Sequence, residues 1–180
     1  MTKICSGRVA LHYGGGSGPE YLDNVALTSL SSLSGIILAP TGGISGTRQA
    51  EQLKNLVELA IVMWPIGPER VLVTGYSLGG DGTLKMLTTY PDMFSAAIPM
   101  ATFLTPYVGQ ISPAVPIYFI RPELDPFPPL GVLEGQVDIL KEQDVNIRLA
   151  ITPGATYGDV LRSIPIMREA VNWVEFSVWA

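Results

Sequence analysis

One cysteine and one histidine, Cys5 and His12, are all that this sequence holds of either residue. A lone cysteine cannot close an internal disulfide, so a reducing compartment is the simpler expectation. Cys5 is expected to be a small buried residue rather than a nucleophile. No His/Cys/Asp cluster has metal-ligand spacing, and neither a metal nor a cofactor is implied. Charge is scarce too. Charged residues make up 15% of the chain, with 16 acidic against 11 basic, for a net charge of -5. A chain of this kind, with no basic run, neutralises few phosphates and argues against a nucleic-acid surface. Long apolar runs are also missing. Nothing approaches the roughly 18 unbroken apolar residues of a membrane span. The nearest stretch, "VLRSIPIMREAVNWVEFSVWA", is interrupted by Arg162, Arg168, Glu169 and Glu175. The start, "MTKICSGRVALHYGGG", lacks the apolar core and processing site of a secretory signal. The expectation is a soluble, cytoplasmic protein with neither nucleic acid nor membrane as partner. Nothing in the sequence sets its oligomeric state.

What the sequence does have is apolar material. Hydrophobic residues reach 47% and the mean hydropathy is +0.33, enough for one domain over 1–180 with a real core. That material is arranged in short runs: "RVALHY" (8–13), "GIILAP" (35–40), "RVLVTG" (70–75), "SAAIPM" (95–100), "VPIYFI" (115–120) and "NIRLAI" (146–151). Each is bounded by turn formers and predicts a strand. Their continuous apolar character suggests strands covered on both faces.

Between them lie helical patterns. Ala50, Leu53, Val57, Ala60 and Ile61 share one face of 48–64, and Pro65 ends that element. Leu133, Val137 and Leu140 repeat through 131–144. Val160, Ile164, Met167, Val171, Val174 and Val178 form a stripe in the last segment, with Pro165 at a first-turn position. A helix over 20–33 is also expected. Alternation of this kind predicts βαβ units and a mostly parallel sheet of about six strands, with helices on both faces. The proline-rich "RPELDPFPPLG" (121–131) predicts a stiff loop at a strand end.

Two stretches carry the chemistry. "VLVTGYSLGG" (71–80) contains G-x-S-x-G between a predicted strand and a predicted helix. A serine there must sit on a very tight turn to project its hydroxyl, and flanking glycines remove the Cβ atoms that would clash. The helix N-terminus then turns free N–H groups toward the site, suited to a developing oxyanion. Ser77 is therefore a candidate nucleophile and the Leu78 N–H a candidate oxyanion donor. A second donor is expected from Tyr13 or Gly14 in "LHYGGGSG" (11–18). That glycine-rich turn lacks the Lys-Ser/Thr of a P-loop and the spacing of a dinucleotide fingerprint.

Taken together these segments resemble the α/β-hydrolase superfamily, most of all its small esterase, peptidase/phospholipase-like and dienelactone-hydrolase-like branches. "LHYGGGSG" is similar to the family's H-G-G-G oxyanion loop. "GYSLGGDGTLKMLTTYPDMFSAAIPM" resembles its elbow, helix and following strand, and "VPIYFIRPELDPFPPL" its acid-bearing strand and loop. The resemblance covers nearly the whole chain. It implies a compact α/β-hydrolase fold and a small-molecule ester substrate, and the short stretch after "SAAIPM", "ATFLTPYVGQISPA", predicts no large lid and a shallow, open pocket. It also puts Asp125 in the position of the triad acid. The family's histidine belongs in the loop after the last strand, where this sequence reads "GATYGDV" and offers Tyr157.

That departure bears on mechanism. A serine hydroxyl is a weak nucleophile until a base takes its proton. Imidazole titrates near 6.5, whereas tyrosine's reference value is about 10. Tyr157 as the base, His12 as the base, and His12 as a structural tie of the oxyanion loop all stay open. Asp125 is expected to hydrogen-bond Tyr157 or to cap its loop. Asp81 is read as a first-turn charge of the helix after Ser77, and Asp159 as capping or opening the last helix. Tyr76, Phe103, Tyr107 and Phe127 are candidate pocket walls. Three functions remain compatible: a small carboxylesterase-type hydrolase with an atypical triad, a non-catalytic relative that binds a small molecule in the same pocket, and an interaction module that keeps only the fold.

Overall fold

The computed structural model describes residues 4–25, 35–44, 46–159 and 163–180. Six strands form one sheet: β1 (Cys5–Leu11), β2 (Gly35–Leu38), β3 (Ile66–Tyr76), β4 (Ala96–Met100), β5 (Ile117–Pro122) and β6 (Ile147–Thr152). Their order across the sheet is β2-β1-β3-β4-β5-β6, and each neighbouring pair runs parallel. The connecting helices are α1 (Gly18–Val25), α2 (Thr47–Met63), α3 (Leu78–Thr89), α4 (Leu130–Glu142) and α5 (Ile164–Trp173). A π-helical turn, Val174–Val178, continues α5.

Side chains alternate across a strand, so each β3 residue faces the opposite side from the next. Val71 and Val73 join a core with Leu53 and Val57 of α2, Leu84 and Leu87 of α3, and Leu133 and Val137 of α4. Leu72 and Tyr76 join a second core with Tyr21 and Val25 of α1 and Met167 and Val171 of α5. The sheet is thus covered on both faces. The central strands are buried along most of their length, while β2, at one edge, is half exposed. Among the described residues no helix is long and apolar enough to cross a membrane.

Several expected boundaries shift. β1 starts at Cys5 and ends before His12, because Cys5 pairs with Ile66 across a register shift and Gly7 pairs with Val71. The same pairing carries β3 back to Ile66, through Pro68 and Glu69. Cys5 is half-buried rather than buried. In the C-terminal stripe Met167, Val171 and Val174 are buried, Ile164 and Val178 are half-buried, and Val160 lies outside the described residues. Pro165 sits in the first turn of α5, as expected. Of the helix expected over 20–33, α1 accounts for the part up to Val25, and 26–33 lie outside the described residues.

The topology fixes where a site can form. From β1 the chain moves outward to β2, then returns past β1 and builds β3 to β6 on the other side. Loops leaving the carboxyl ends of β1 and β3 therefore part in opposite directions and leave a crevice, the place where open α/β sheets bind ligands.

Candidate functional site

Ser77 stands at that crevice, between the last residue of β3 and the first of α3. Its backbone has φ 57° and ψ -115°, a left-handed conformation that costs a non-glycine residue about 1–3 kcal/mol. The turn is tied by Ser77 N–H donating to Met100 O at 2.9 Å and Asp81 N–H donating to Ser77 O at 2.9 Å. The surrounding glycines are required by contact. A Cβ on Gly75 would overlap the Gly79 carbonyl, and one on Gly79 would overlap the Leu11 carbonyl. A Cβ on Gly80 would stand 2.6 Å from Met100 O. The bend can therefore pack against β1 and β4 only with hydrogens at these positions.

The Ser77 Oγ is hydrogen-bonded to the Tyr157 hydroxyl. Tyr157 reaches it from the loop after β6, and its side chain remains 47% exposed. Its backbone is anchored from below, where the Tyr76 hydroxyl donates to Tyr157 O at 2.6 Å. The two rings lie 6.2 Å apart, tilted by 51°. Burial, then the charges of Tyr157, Asp125 and Asp159, push the Tyr76 phenol well above the usual tyrosine range, so it stays a donor. Tyr76 is 2% exposed, so it is a prop beneath Tyr157 rather than an open pocket wall.

Asp125 is buried at the end of β5, in the loop next to that of Tyr157. Leu124 N–H donates to Ala155 O at 2.8 Å and couples the two loops. The Asp125 carboxylate accepts Phe127 N–H at 3.0 Å and so caps its own loop. Among the described residues it forms no hydrogen bond with Tyr157. Beneath it lies a residue that sequence reasoning missed. Arg121 is 2% exposed, and its guanidinium donates to the carbonyls of Asp125 and Pro128, both at 2.5 Å, and of Phe127 at 3.3 Å. The one available signal was an arginine ending an otherwise apolar strand, "VPIYFIRPELD". Replacing Arg121 by methionine strands these carbonyls in a buried place and should cost about 3 kcal/mol. Urea unfolding of Arg121→Met measures that loss.

His12 is buried, with Nδ1 2.7 Å from Tyr13 O and Nε2 2.9 Å from Thr41 O. Both ring nitrogens are turned to backbone carbonyls, so the imidazole joins the loops after β1 and β2 and points neither nitrogen at Ser77. Tyr13 turns its side chain away, onto α1. Its hydroxyl donates to Glu20 Oε1 at 2.6 Å and accepts from Asn24 Nδ2 at 2.9 Å. The hydrogen bond to Glu20 is the chief cause that raises its phenol. Tyr13 O accepts Gly16 N–H at 3.1 Å, closing a tight turn, and Gly14 lies beside Leu78. Leu78 opens α3, so its N–H is one of the four that an α-helix leaves free at its start.

The other candidate residues spread out. The Tyr107 hydroxyl donates to Asp81 Oδ1 at 2.7 Å, and its ring is buried in the core on the α2 side of the sheet. Burial, followed by Asp81, raises its phenol. Asp81 is in the first turn of α3. Phe103 and Phe127 follow β4 and β5 and are 48% and 68% exposed. The Asp159 carboxylate accepts Thr156 N–H and Oγ–H, both at 2.8 Å. Residues 160–162, between it and the start of α5 at Ile164, lie outside the described residues, and with them the expectation that it caps or opens the last helix.

No family model matches the chain. Among named proteins it is similar to a probable acetylxylan esterase A of Aspergillus niger, 33% identical over 104 residues, covering 49% of this chain and 34% of that protein. It is also similar to poly(3-hydroxyalkanoate) depolymerase C of Paucimonas lemoignei, 41% identical over 56 residues, covering 31% of this chain and 14% of that one. The chain thus spans about a third of the length of the first of these relatives and 14% of the second. Solved structures match far more of it. The S-formylglutathione hydrolase FrmB of Staphylococcus aureus superposes with a TM-score of 0.75 at 16% identity, covering 96% of this chain and 82% of that one. FphF, a fluorophosphonate-binding serine hydrolase of the same organism, gives 0.77 at 15% identity, with 96% and 84% covered. SOBER1 of Arabidopsis thaliana gives 0.71 at 17% identity, with 93% and 97% covered.

Proposed function

Starting from the α/β-hydrolase fold, we propose that this chain is a serine hydrolase of small carboxylic esters that works with an atypical triad. The observation that carries the proposal is Ser77, held at φ 57° on a glycine-walled turn, with its Oγ against a hydroxyl from the loop after the last strand. The esterase and depolymerase names of its relatives support short-chain esters as substrates.

In the first step the Ser77 Oγ bonds to the ester carbonyl carbon, and the carbonyl π pair moves to oxygen. The Leu78 N–H and one from Tyr13 or Gly14 receive that oxyanion. The Oγ proton passes to Tyr157 Oη while the phenol proton passes to water, which the exposure of Tyr157 allows. Collapse breaks the bond to the leaving oxygen, which departs as the alcohol by taking a proton from water, and leaves an acyl-serine. A water oxygen then bonds to the acyl carbon, the bond to Ser77 Oγ breaks, and Ser77 regains its proton as the acid is released. A neutral phenol is a poor base, so esters with good leaving groups are the favoured substrates. The purified protein is expected to hydrolyse p-nitrophenyl acetate above the buffer rate.

A second reading rests on the same contact. A Tyr157 hydroxyl that only blocks Ser77 would make the crevice a binding site without chemistry. Esters or carboxylates would then raise the melting temperature with no release of p-nitrophenol.

A further inference from the structure

The carboxyl half of α2 is apolar on both sides. Ala50, Leu53, Val57 and Ala60 of this helix turn into the core. Away from the core, Leu56, Leu59, Val62 and Met63 are 37%, 54%, 84% and 61% exposed, and Trp64, just past the helix, is 41% exposed. We propose that this face is a dimer interface. It docks on the same face of a second copy of the chain, with the two α2 helices antiparallel across a two-fold axis beside Leu59.

The pattern is that of a helix–helix seam. Leu56, Leu59 and Met63 fall at i, i+3 and i+7, on one stripe of the surface, and Val62 widens it. Apolar side chains scattered singly over a surface need no explanation, whereas a contiguous patch of them marks an interaction site. This one is of the order of the largest that a monomer usually leaves bare, about 300–600 Å². With the groove beside it, the face approaches the roughly 800 Å² that each partner contributes to a stable interface. Methionine and tryptophan are also among the residues enriched at such interfaces.

Shape argues for a second copy as the occupant. A groove of about 150 Å³ lies at one end of the patch, between α2 and the loop after β2. Leu56 belongs to both, since it lines the groove and begins the stripe. A two-fold contact sets one patch against itself, so each ridge must meet its own hollow. Leu56 and Met63 are seven residues apart, about 10 Å along the helix. A two-fold axis midway between them, beside Leu59, sets Met63 of each copy over Leu56 and the groove of the other. An apolar space of about 150 Å³ accepts a benzene-sized guest, and the unbranched thioether of methionine adapts to irregular gaps of that size.

Charge points the same way. The chain carries -5 overall, so two copies repel in most orientations. The helix itself is neutral. Arg48 and Lys54 offset Glu51 and Glu58, and Lys54 Nζ donates to Glu58 Oε1 at 2.6 Å. A copy of the same face therefore meets no like charge there. A lipid surface is a poorer match, because surface helices bring Lys and Arg to the headgroups and residues 55–69 contain neither.

The test is sedimentation velocity of the full chain. Over about 5 to 200 µM the mass should rise from 19.3 kDa toward twice that value, as for an interface of micromolar affinity. Leu59→Lys and Leu59→Glu each set like charges together at the axis, and each should weaken the dimer at least about hundredfold. An equimolar mixture of the two should recover it, a result that misfolding of either variant would not give. Val62→Lys changes the most exposed position of the patch and should weaken the dimer about tenfold, with the circular dichroism of the parent. Ile139→Lys, on α4 and 43% exposed, should leave the dimer intact. A chain that stays at 19.3 kDa over the whole range overturns the proposal. So does a dimer that Leu59→Glu and Val62→Lys leave intact, or a mixture of the two Leu59 variants that stays monomeric. A monomer that binds phosphatidylserine vesicles, and loses them in Leu59→Glu, also overturns it and gives the face to a lipid surface.

Discussion

Tyr157→His should raise kcat/KM for p-nitrophenyl acetate by about 10² to 10⁴, the usual contribution of a positioned general base. The substitution changes only what stands against Ser77. The 157 backbone is held by the Tyr76 hydroxyl through its carbonyl, an anchor that does not depend on the side chain. The neighbouring Asp125 loop is already coupled to this one through Leu124 and Ala155, and Arg121 clamps it from below. An imidazole at 157 is expected to stand where the Tyr157 hydroxyl now meets Ser77 Oγ, next to the loop that carries Asp125. The gain should show a pH profile rising through the imidazole range near 6.5. It should also depend on Asp125. Asp125→Asn in the Tyr157→His background should remove most of the gain, since a carboxylate sets the tautomer of a triad histidine. In the parent the same change should matter far less, because the Asp125 carboxylate there caps Phe127 N–H rather than meeting the Tyr157 hydroxyl. Stopped assays over pH 5 to 9 on the four proteins read all of this at once. No gain in Tyr157→His would mean that the loop is not placed for proton transfer.

Ser77→Ala should lower ester hydrolysis by about 10²-fold, because it removes the covalent route. What remains in the variant is the part of the roughly 10³–10⁴ over water that an oxyanion hole and binding supply without a serine. Alanine removes the Oγ and keeps a Cβ, so the strained φ is neither relieved nor worsened. The fold should be unaffected and the melting temperature unchanged within a few degrees. Burst kinetics with p-nitrophenyl acetate should show one equivalent of released phenol per chain in the parent and none in Ser77→Ala. An unchanged steady rate in Ser77→Ala would move the chemistry to another group.

The elbow was legible in the sequence because its constraint is steric and local. Gly75, Gly79 and Gly80 are demanded by carbonyls of Gly79, Leu11 and Met100, and no other residue type fits. The βαβ order was legible because the central strands are buried on both faces and read as unbroken apolar runs. Strand ends were not. Gly67, Pro68 and Glu69 look like a loop, yet Ile66 pairs with Cys5 and draws them into β3. The roles of Tyr76 and Arg121 were hidden for a different reason. Each acts on backbone carbonyls, of residue 157 for one and of residues 125, 127 and 128 for the other, and carbonyls leave no trace in side-chain identity.

Covalent labelling addresses the nucleophile most directly. The purified chain is incubated with a fluorophosphonate, its intact mass is recorded, and the modified peptide is sequenced. One adduct per chain is expected, on Ser77, formed slowly in the parent, far faster in Tyr157→His and not at all in Ser77→Ala. An adduct on any other residue, or none in both the parent and Tyr157→His, would contradict a nucleophilic Ser77.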